Sequence, residues 1–314
     1  MTKLLQDVLR YLTKEFCDDR GARSLGCTSR YHLAALKHSY EIKNYVRYQD
    51  WHGIQTPNRF GCYRSIMVFR AKDLRDIAYT TVFTRLCLNL HAPIDYRQQK
   101  YRLPTSLRVL EFGHFFGGPI HYLLLPASLR ILRLGSGFNG SIKRLQLPES
   151  LHTLQLGALF NNQSMNQVQL PESLHTLIFG GCFQQPIEKI KLPASLRVLQ
   201  FGLKFNRSVD QLQLPDSLHT LEFGGHFNQS LERLRWPESL HTLILGECFQ
   251  QPFEQWRLPA SLRVLTLVTS LDRLYLPEGL HTLEVGDDFN RSIDGLILPK
   301  SLQVFIATNQ RQSE

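Results

Sequence analysis

Five histidines recur at one position of a repeating sequence, so they are the first side chains to consider for metal chemistry. A zinc site needs three or four ligands that converge on one point and are oriented by further hydrogen bonds. The closest of these histidines are 22 or 23 residues apart, which places them side by side in successive repeats, where their rings stack rather than converge. We therefore predict no metal site and no cofactor. The five are His152, His175, His219, His241 and His281.

A serine stands two residues after a proline in nearly every repeat, where a nucleophile has to be considered. It comes just before a leucine each time, and this position is typical of turn-forming serine rather than of catalytic serine. The sequence contains no HExxH, P-loop, GxSxG or glycine-rich dinucleotide motif. We therefore expect no catalytic residues and a protein that is not an enzyme.

The unit that carries these residues, Pro-x-Ser/Gly-Leu, organises most of the chain. Its copies are 22 residues apart, except for spacings of 23 after Pro148 and 18 after Pro259. A fixed period of this length is the signature of a solenoid built from stacked coils. The prolines are Pro104, Pro126, Pro148, Pro171, Pro193, Pro215, Pro237, Pro259, Pro277 and Pro299.

Each coil, numbered from its proline as position 0, contains two short apolar segments. Leucine occupies position 3 in all ten coils, and apolar residues occupy positions 6, 8, 16, 19 and 21. Proline and glycine interrupt both segments too often for a helix, and their alternation predicts strands. We therefore predict a mostly β fold, a leucine-rich-repeat-like solenoid of about 22-residue coils with two parallel sheets.

Glycine usually occupies position 9, and Phe-Asn follows at positions 12 and 13 of several coils. We assign the glycine to a turn that excludes residues with a Cβ, and the asparagine to hydrogen bonds that run from coil to coil. The extra residue of the 23-residue coil is predicted to lie in the turn between Phe160 and Met165, because inside a strand it would reverse the faces. The 18-residue coil is predicted to have a tightened turn.

The N-terminal third differs from the repeats. Residues 3–16 and 22–36 place apolar side chains at helical spacing, which predicts a small α-helical N-terminal module. Residues 66–69 and 85–90 have strand-like apolar character and are interpreted as degenerate capping repeats. The predicted domains are residues 1–45 (helical module), 46–102 (connector and capping repeats), 103–308 (solenoid) and 309–314 (tail).

The order Leu-Pro-x-Ser-Leu-x-x-Leu-x-Phe-Gly-x-x-Phe-Asn in residues 103–306 resembles the FNIP repeat, a leucine-rich-repeat variant abundant in social amoebae and giant viruses of amoebae. In that family an F-box, the module that docks on the Skp adaptor of cullin-RING ubiquitin ligases, often comes first. Residues 4–36 resemble a shortened F-box, with Leu5-Gln6 where the motif usually has Leu-Pro. The resemblance implies a substrate receptor with Skp-family adaptor and cullin partners. The adaptor-binding residues would be Leu5, Val8, Leu9 and Leu12.

Positions 5 and 7 of each coil point outward on the first predicted sheet, and their side chains are β-branched and carry little charge. Strand propensity alone explains this composition, and a protein-docking face explains it equally well. On the second predicted sheet, basic residues stand beside acidic ones and are interpreted as solvated, self-neutralised charge ladders. The predicted target-binding face comprises Val109, Glu111, Ile131, Arg133, Thr176, Ile178, Val198, Gln200, Thr220, Glu222, Thr242 and Ile244.

The net charge of +9 lies wholly in residues 1–103, and residues 104–314 are neutral. A nucleic-acid groove would be basic along the array, so nucleic-acid binding is the weakest hypothesis. No apolar run is long enough for a membrane span, and the scattered cysteines are interpreted as free thiols of an intracellular, cytoplasmic protein. The alternative to a ligase receptor is a repeat scaffold or structural protein, of viral or cellular origin, whose N-terminal helices only cap the solenoid.

Overall fold

A computed structural model of the chain describes residues 84–88, 101–161, 165–252, 256–267, 275–285 and 298–307, together with the strand backbones at 46–47 and 65–68. The chain divides into two units, Met1–Tyr45 and Val46–Glu314, and every described residue belongs to the second. The predicted helical module and its candidate adaptor-binding residues lie outside the described residues. The prediction for the tail at residues 309–314 lies outside them as well.

The described residues form fifteen strands and one 3₁₀ helix, Met165–Gln167. Thirteen strands make one parallel sheet in the order β1-β2-β3-β5-β7-β8-β9-β10-β11-β12-β13-β14-β15, and β4 pairs with β6. The strands are β1 (Val46–Arg47), β2 (Ser65–Val68), β3 (Arg85–Leu88), β4 (Tyr101–Arg102), β5 (Val109–Phe112), β6 (Leu123–Leu124), β7 (Ile131–Arg133), β8 (Thr153–Gln155), β9 (Thr176–Ile178), β10 (Val198–Gln200), β11 (Thr220–Glu222), β12 (Thr242–Ile244), β13 (Val264–Leu267), β14 (Thr282–Val285) and β15 (Val304–Ala307).

Each strand of the repeat array begins at position 5, as the sequence period predicts. The turn before it is closed by a hydrogen bond from the N–H of the position-3 leucine to the proline carbonyl, 3.0 Å long between Leu218 and Pro215. Equivalent positions pair across neighbouring strands, so Leu199 lies opposite Leu221 and Leu221 opposite Leu243. Positions 3, 6 and 8 therefore face the core, and positions 5 and 7 face outward.

The prediction of a second parallel sheet is wrong in extent, because among the described residues that sheet consists only of β4 and β6. In the coils from Pro104 to Pro215 the second half turns instead between the residues equivalent to positions 16 and 19, where the N–H of Leu212 bonds to the carbonyl of Val209 at 2.9 Å. Only positions 20 and 21 then remain before the next proline, which has no N–H to donate. The inward side chains are as predicted, since Val209 and Leu212 are buried.

The core is one continuous column of side chains contributed by successive coils. The position-12 phenylalanines stack from coil to coil with ring centroids 6.0 to 6.3 Å apart. Such buried aromatic contacts add to the hydrophobic stabilisation of the leucines around them. The ladder comprises Phe116, Phe138, Phe160, Phe183, Phe205, Phe227 and Phe249, each of which is almost completely buried.

The reason for glycine at position 9 is close approach between coils rather than an unusual backbone conformation. A Cβ built on Gly202 would overlap the carbonyl oxygen of Gly180, and one on Gly180 would overlap that of Gly157. The described glycines at position 9 have no φ in the left-handed region. The prediction of a turn conformation that only glycine adopts is therefore wrong. A carbonyl of the neighbouring coil excludes the side chain, and the sequence of a single coil does not show that carbonyl.

Two ladders of polar groups join successive coils, and only the asparagine ladder is predicted from the sequence. The position-2 serine hydroxyl donates to the position-3 leucine carbonyl of the preceding coil, at 2.7 Å between Ser217 and Leu196. The position-13 side chain accepts the backbone N–H of the equivalent residue one coil later, and this repeats through five consecutive contacts. These bonds satisfy turn backbone groups that would otherwise be buried without partners.

Coils of unusual length leave the sheet undisturbed. Across the 23-residue coil, Thr153 pairs with Thr176 and Leu154 with Leu177, so the extra residue lies outside the strands as predicted. Across the 18-residue coil, β13 pairs with β14 in unbroken register, and the tightened turn predicted there lies outside the described residues. The degenerate repeats at residues 66–69 and 85–90 contribute β2 and β3, whereas β1 lies in a segment that we interpreted as irregular.

Candidate protein-interaction surface

The outward side chains at positions 5 and 7 of the large sheet form one continuous surface, called here the outer sheet face. All twelve residues predicted for target binding lie on it, in register from β5 to β12. The same surface continues onto β13, β14 and β15, which the prediction did not include. Counting from each proline identifies the outward residues of these strands as well. The added residues are Val264, Thr266, Thr282, Glu284, Val304 and Ile306.

Position 5 supplies only valine, isoleucine and threonine, from Val109 on β5 to Val304 on β15. These side chains are half-buried between their neighbours within the sheet, and Val304 on β15 is the most exposed of them, at 42%. Ile306, at position 7 of the same strand, is equally exposed. Threonines are interspersed with valine and isoleucine along this row. The result is a firm, mildly apolar strip with little conformational freedom to lose when a partner covers it.

Position 7 carries the polar groups of the outer sheet face. Glu111 on β5 forms an ion pair with Arg133 on β7, so these two charges neutralise each other. Glu222 on β11 instead accepts a hydrogen bond of 2.9 Å from the side-chain amide of Gln200 on β10. The pKa of the Glu222 carboxyl is raised above its ordinary value because burial disfavours the charged form, and the Gln200 hydrogen bond offsets part of that effect.

The repeated histidines stack in pairs, as the sequence predicts. The rings of His152 and His175 are 5.0 Å apart, and those of His219 and His241 are 5.1 Å apart. The Nδ1 atom of His219 lies 2.6 Å from the carbonyl oxygen of Ser217, so the ring is tied to its own turn. Within the part of the chain that the structure describes, no group of three or more potential ligands is arranged to hold a metal ion.

The basic residues in the second half of the coils are exposed and stand next to exposed carboxylates. Lys189 and Lys191 follow Glu188, and Arg233 and Arg235 follow Glu232, yet none of these four cations forms an ion pair with a described residue. These charges are therefore solvated, with both signs close together but without direct pairing. Such an arrangement contributes little to binding or stability.

The three thiols that the structure describes do not offer a nucleophile on this surface. Cys87 on β3 is buried, and its pKa is raised to about 12 by burial and, to a smaller extent, by the charge of Glu111. Cys182 and Cys248 are also free thiols, and they occupy equivalent turns three coils apart rather than the outer sheet face. A thiol is nucleophilic as the thiolate, so burial makes Cys87 inert.

Comparison with known proteins assigns the repeats. The sequence model of the FNIP Repeat matches residues 116–159, 160–204, 205–248 and 227–270. The array is thus a leucine-rich-repeat-like solenoid of parallel coils. It contains FNIP repeats, as the order of leucine, glycine and Phe-Asn predicts. No curated protein matches the chain.

Two solved structures are similar to parts of the chain. The chain is 27% identical to CroV588, a novel circular LRR protein, over 77% of its own length and 48% of that chain, with a TM-score of 0.45. It thus spans about half of the length of CroV588. It is 16% identical to an internalin, InlF, from Listeria monocytogenes, over 77% of its own length and 85% of that chain, with a TM-score of 0.45. None of the described residues forms a helix long and apolar enough to span a bilayer.

Proposed function

We propose that this chain is a non-catalytic receptor that holds a target protein on its outer sheet face. The proposal rests on one observation, that different positions within each coil have different roles. Core leucines, the phenylalanine column, the serine ladder and the asparagine ladder are all committed to coil stacking. Positions 5 and 7 are not required for any of these contacts, and they form a continuous surface that differs from coil to coil.

The chemistry of the outer sheet face supports binding rather than catalysis. Its polar groups are an ion pair, a carboxylate with an amide donor, and threonines, none of which forms a nucleophile–base pair. The branched side chains at position 5 provide apolar area of the kind that protein interfaces bury. A parallel sheet with half-buried side chains is also rigid, which reduces the entropy lost on association.

The second part of the proposal is that the N-terminal module binds an adaptor protein. By resemblance to F-box proteins, residues 1–45 would dock on a Skp-family adaptor through Leu5, Val8, Leu9 and Leu12, and the solenoid would present its target to a cullin-type ubiquitin ligase. The excess of basic residues in the first 103 residues favours association with an acidic adaptor, mainly through the rate of encounter. Frequent pairing of F-boxes with FNIP repeats is the reason for assigning this role.

The test uses the purified full-length chain and a recombinant Skp adaptor from a social amoeba. Leu9→Glu is expected to weaken adaptor binding at least tenfold, and Lys14→Glu, on the opposite side of the predicted helix, is the matched control. Binding is measured by biolayer interferometry and the melting temperature by circular dichroism. A wild-type chain that does not bind the adaptor would refute the receptor role. If Leu9→Glu lowers the melting temperature and the wild-type chain is inert toward the adaptor, the helices cap a scaffold.

A further inference from the structure

Position 7 of the outer sheet face repeats its chemistry every three coils. From β9 to β15 the side chains read isoleucine, amide, carboxylate, isoleucine, hydroxyl, carboxylate and isoleucine. The residues in order are Ile178, Gln200, Glu222, Ile244, Thr266, Glu284 and Ile306. A carboxylate therefore recurs at the same place in two successive three-coil blocks.

The two carboxylates have equivalent surroundings. Glu222 receives the amide of Gln200 from the preceding coil at 2.9 Å, and Glu284 receives the hydroxyl of Thr266 from its preceding coil at 3.3 Å. Isoleucine follows each one, Ile244 after Glu222 and Ile306 after Glu284. In both places a neutral donor holds one side of the carboxylate, and an apolar side chain lies on the other.

No cation of the outer sheet face balances these charges. Glu222 and Glu284 are the only charged residues at positions 5 and 7 of the strands from β9 to β15. Arg197 and Arg263 each stand directly before a strand of this stretch, and neither forms an ion pair with Glu222 or Glu284. Arg263 donates to the carbonyls of Ala260 and Leu262 and is thereby folded onto its own turn. Earlier in the array the situation differs, because Arg133 already neutralises Glu111. A desolvated carboxylate without a cation is the kind of group that an incoming cation stabilises.

The spacing of the two carboxylates matches an extended peptide. Three strand-to-strand steps separate β11 from β14, which corresponds to roughly 14 Å at about 4.8 Å per step. Alternate side chains of an extended chain repeat every ~6.8 Å, so residues i and i+4 lie about 13.5 Å apart on one face. The residue at i+2 would then lie over Ile244 and Thr266, between the two carboxylates.

We propose that the outer sheet face from β11 to β14 binds an extended basic segment of the target protein, with lysine or arginine at i and i+4 placed on Glu222 and Glu284 and a β-branched or apolar residue at i+2. The inference rests on the proposed function of the outer sheet face and specifies the chemistry of its partner. The segment runs across the strands, along the axis on which the coils stack. Acidic and uncharged extended segments are rejected, because they leave the two half-buried carboxylates unpaired.

The experiment is a display selection of random twelve-residue peptides on the immobilised full-length chain. The expected result is enrichment of Lys/Arg pairs four residues apart, followed by confirmation with synthetic fluorescein-labelled peptides in anisotropy titrations. Glu222→Gln and Glu284→Gln are each expected to weaken the selected peptides about tenfold, and the double variant more than either. The matched control is Glu238→Gln, which removes an exposed carboxylate from the turn of the neighbouring coil.

A second variant separates failure of this inference from failure of the proposed function. Ile244→Asp disturbs the outer sheet face between the two carboxylates, and its melting temperature is compared with that of the wild type. Suppose that the selected peptides lose affinity for Ile244→Asp but contain no basic pair, or that they bind Glu222→Gln and Glu284→Gln as tightly as the wild type. Either result overturns the proposal of a basic segment and leaves the proposal of a docking face intact. If no peptide is selected, or the selected peptides ignore all three variants, both proposals are overturned.

Discussion

The Oδ1 atom of Asn206 accepts the backbone N–H of Asn228, the equivalent residue one coil later, at 3.0 Å. The same oxygen accepts the side-chain amide of Gln229 at 2.9 Å. One side-chain atom in one coil therefore organises the turn of the next. Since both donors are partly buried, their loss of a partner has a direct energetic cost.

Asn206→Ala is expected to lower the free energy of unfolding by about 1–3 kcal/mol, because it leaves the Asn228 N–H without its acceptor. The measurement is the midpoint of urea unfolding followed by circular dichroism. Gln211→Ala is the control, since it removes an exposed amide from the same coil. Equal midpoints for the two variants would show that the ladder does not stabilise the turn.

Gly202→Ala is expected to prevent normal stacking of the coils, because its Cβ would overlap the carbonyl oxygen of Gly180. Backbone atoms cannot move aside as a flexible side chain can, so we expect loss of soluble, folded protein or a large fall in melting temperature. Gly117→Ala is the matched control, since the nearest atom to its Cβ would be the carbonyl oxygen of Gly137 at 3.7 Å. A Gly202→Ala chain that melts like the wild type would contradict the close approach.

Phe205→Ala is expected to cost about 3–5 kcal/mol in unfolding free energy, because it removes one fully buried ring from the stacked column. Phe115→Ala removes the same side chain where it is 61% exposed, and we expect a change within about 0.5 kcal/mol. Chemical denaturation of both variants measures the contrast. A cost that is the same at both positions would argue against the column as a source of stability.

Cys87 is expected to resist alkylation in the folded chain, whereas Cys248 reacts. Burial raises the pKa of Cys87 to about 12, so at pH 8 only about one thiol in ten thousand is ionised. Cys248 is exposed and serves as the internal control. The rates are read by mass spectrometry of peptides after timed treatment with iodoacetamide. Rapid labelling of Cys87 without unfolding would contradict its burial.

Glu222→Gln is expected to be at least as stable as the wild type at pH 7. Because the pKa of Glu222 is raised in the folded state, folding takes up a proton, and the ionised carboxylate penalises the folded state above its ordinary pKa range. The advantage of the variant should shrink as the pH falls and the wild-type carboxyl becomes protonated. Melting temperatures of both chains from pH 4 to pH 8 test this. A variant that is less stable than the wild type at pH 7 would contradict the sign.

Counting from each proline predicts the strands and their faces, because position and burial repeat together in every coil. Leu199, Leu221 and Leu243 are buried at position 6 as expected, and the positions between them face outward. The asparagine ladder is predicted as well, since a short polar side chain next to a turn needs a partner and the next coil provides it. The serine is predicted only to form a turn, and its bond to the preceding coil is not. The helical module, the F-box resemblance and the domain boundaries stay predictions.

The small extent of the second sheet could not be predicted, because the reason for it lies within each coil. Alternation of buried residues at positions 16, 19 and 21 looks like a strand, but the turn from Val209 to Leu212 satisfies the same burial with a hydrogen bond inside the coil. The pattern of a single repeat also does not show two of the contacts between coils. The overlap at Gly202 and the hydrogen bond from Gln200 to Glu222 both involve atoms 22 residues apart in the sequence.

The serine and asparagine ladders point in one direction along the array. In each, the later coil donates and the earlier coil accepts, as Ser217 does to Leu196 and Asn228 does to Asn206. A coil leaving the ribosome therefore meets acceptors that are already in place on the coil synthesised before it. The array can grow vectorially, from the N-terminal side, with every new coil laid on a finished template.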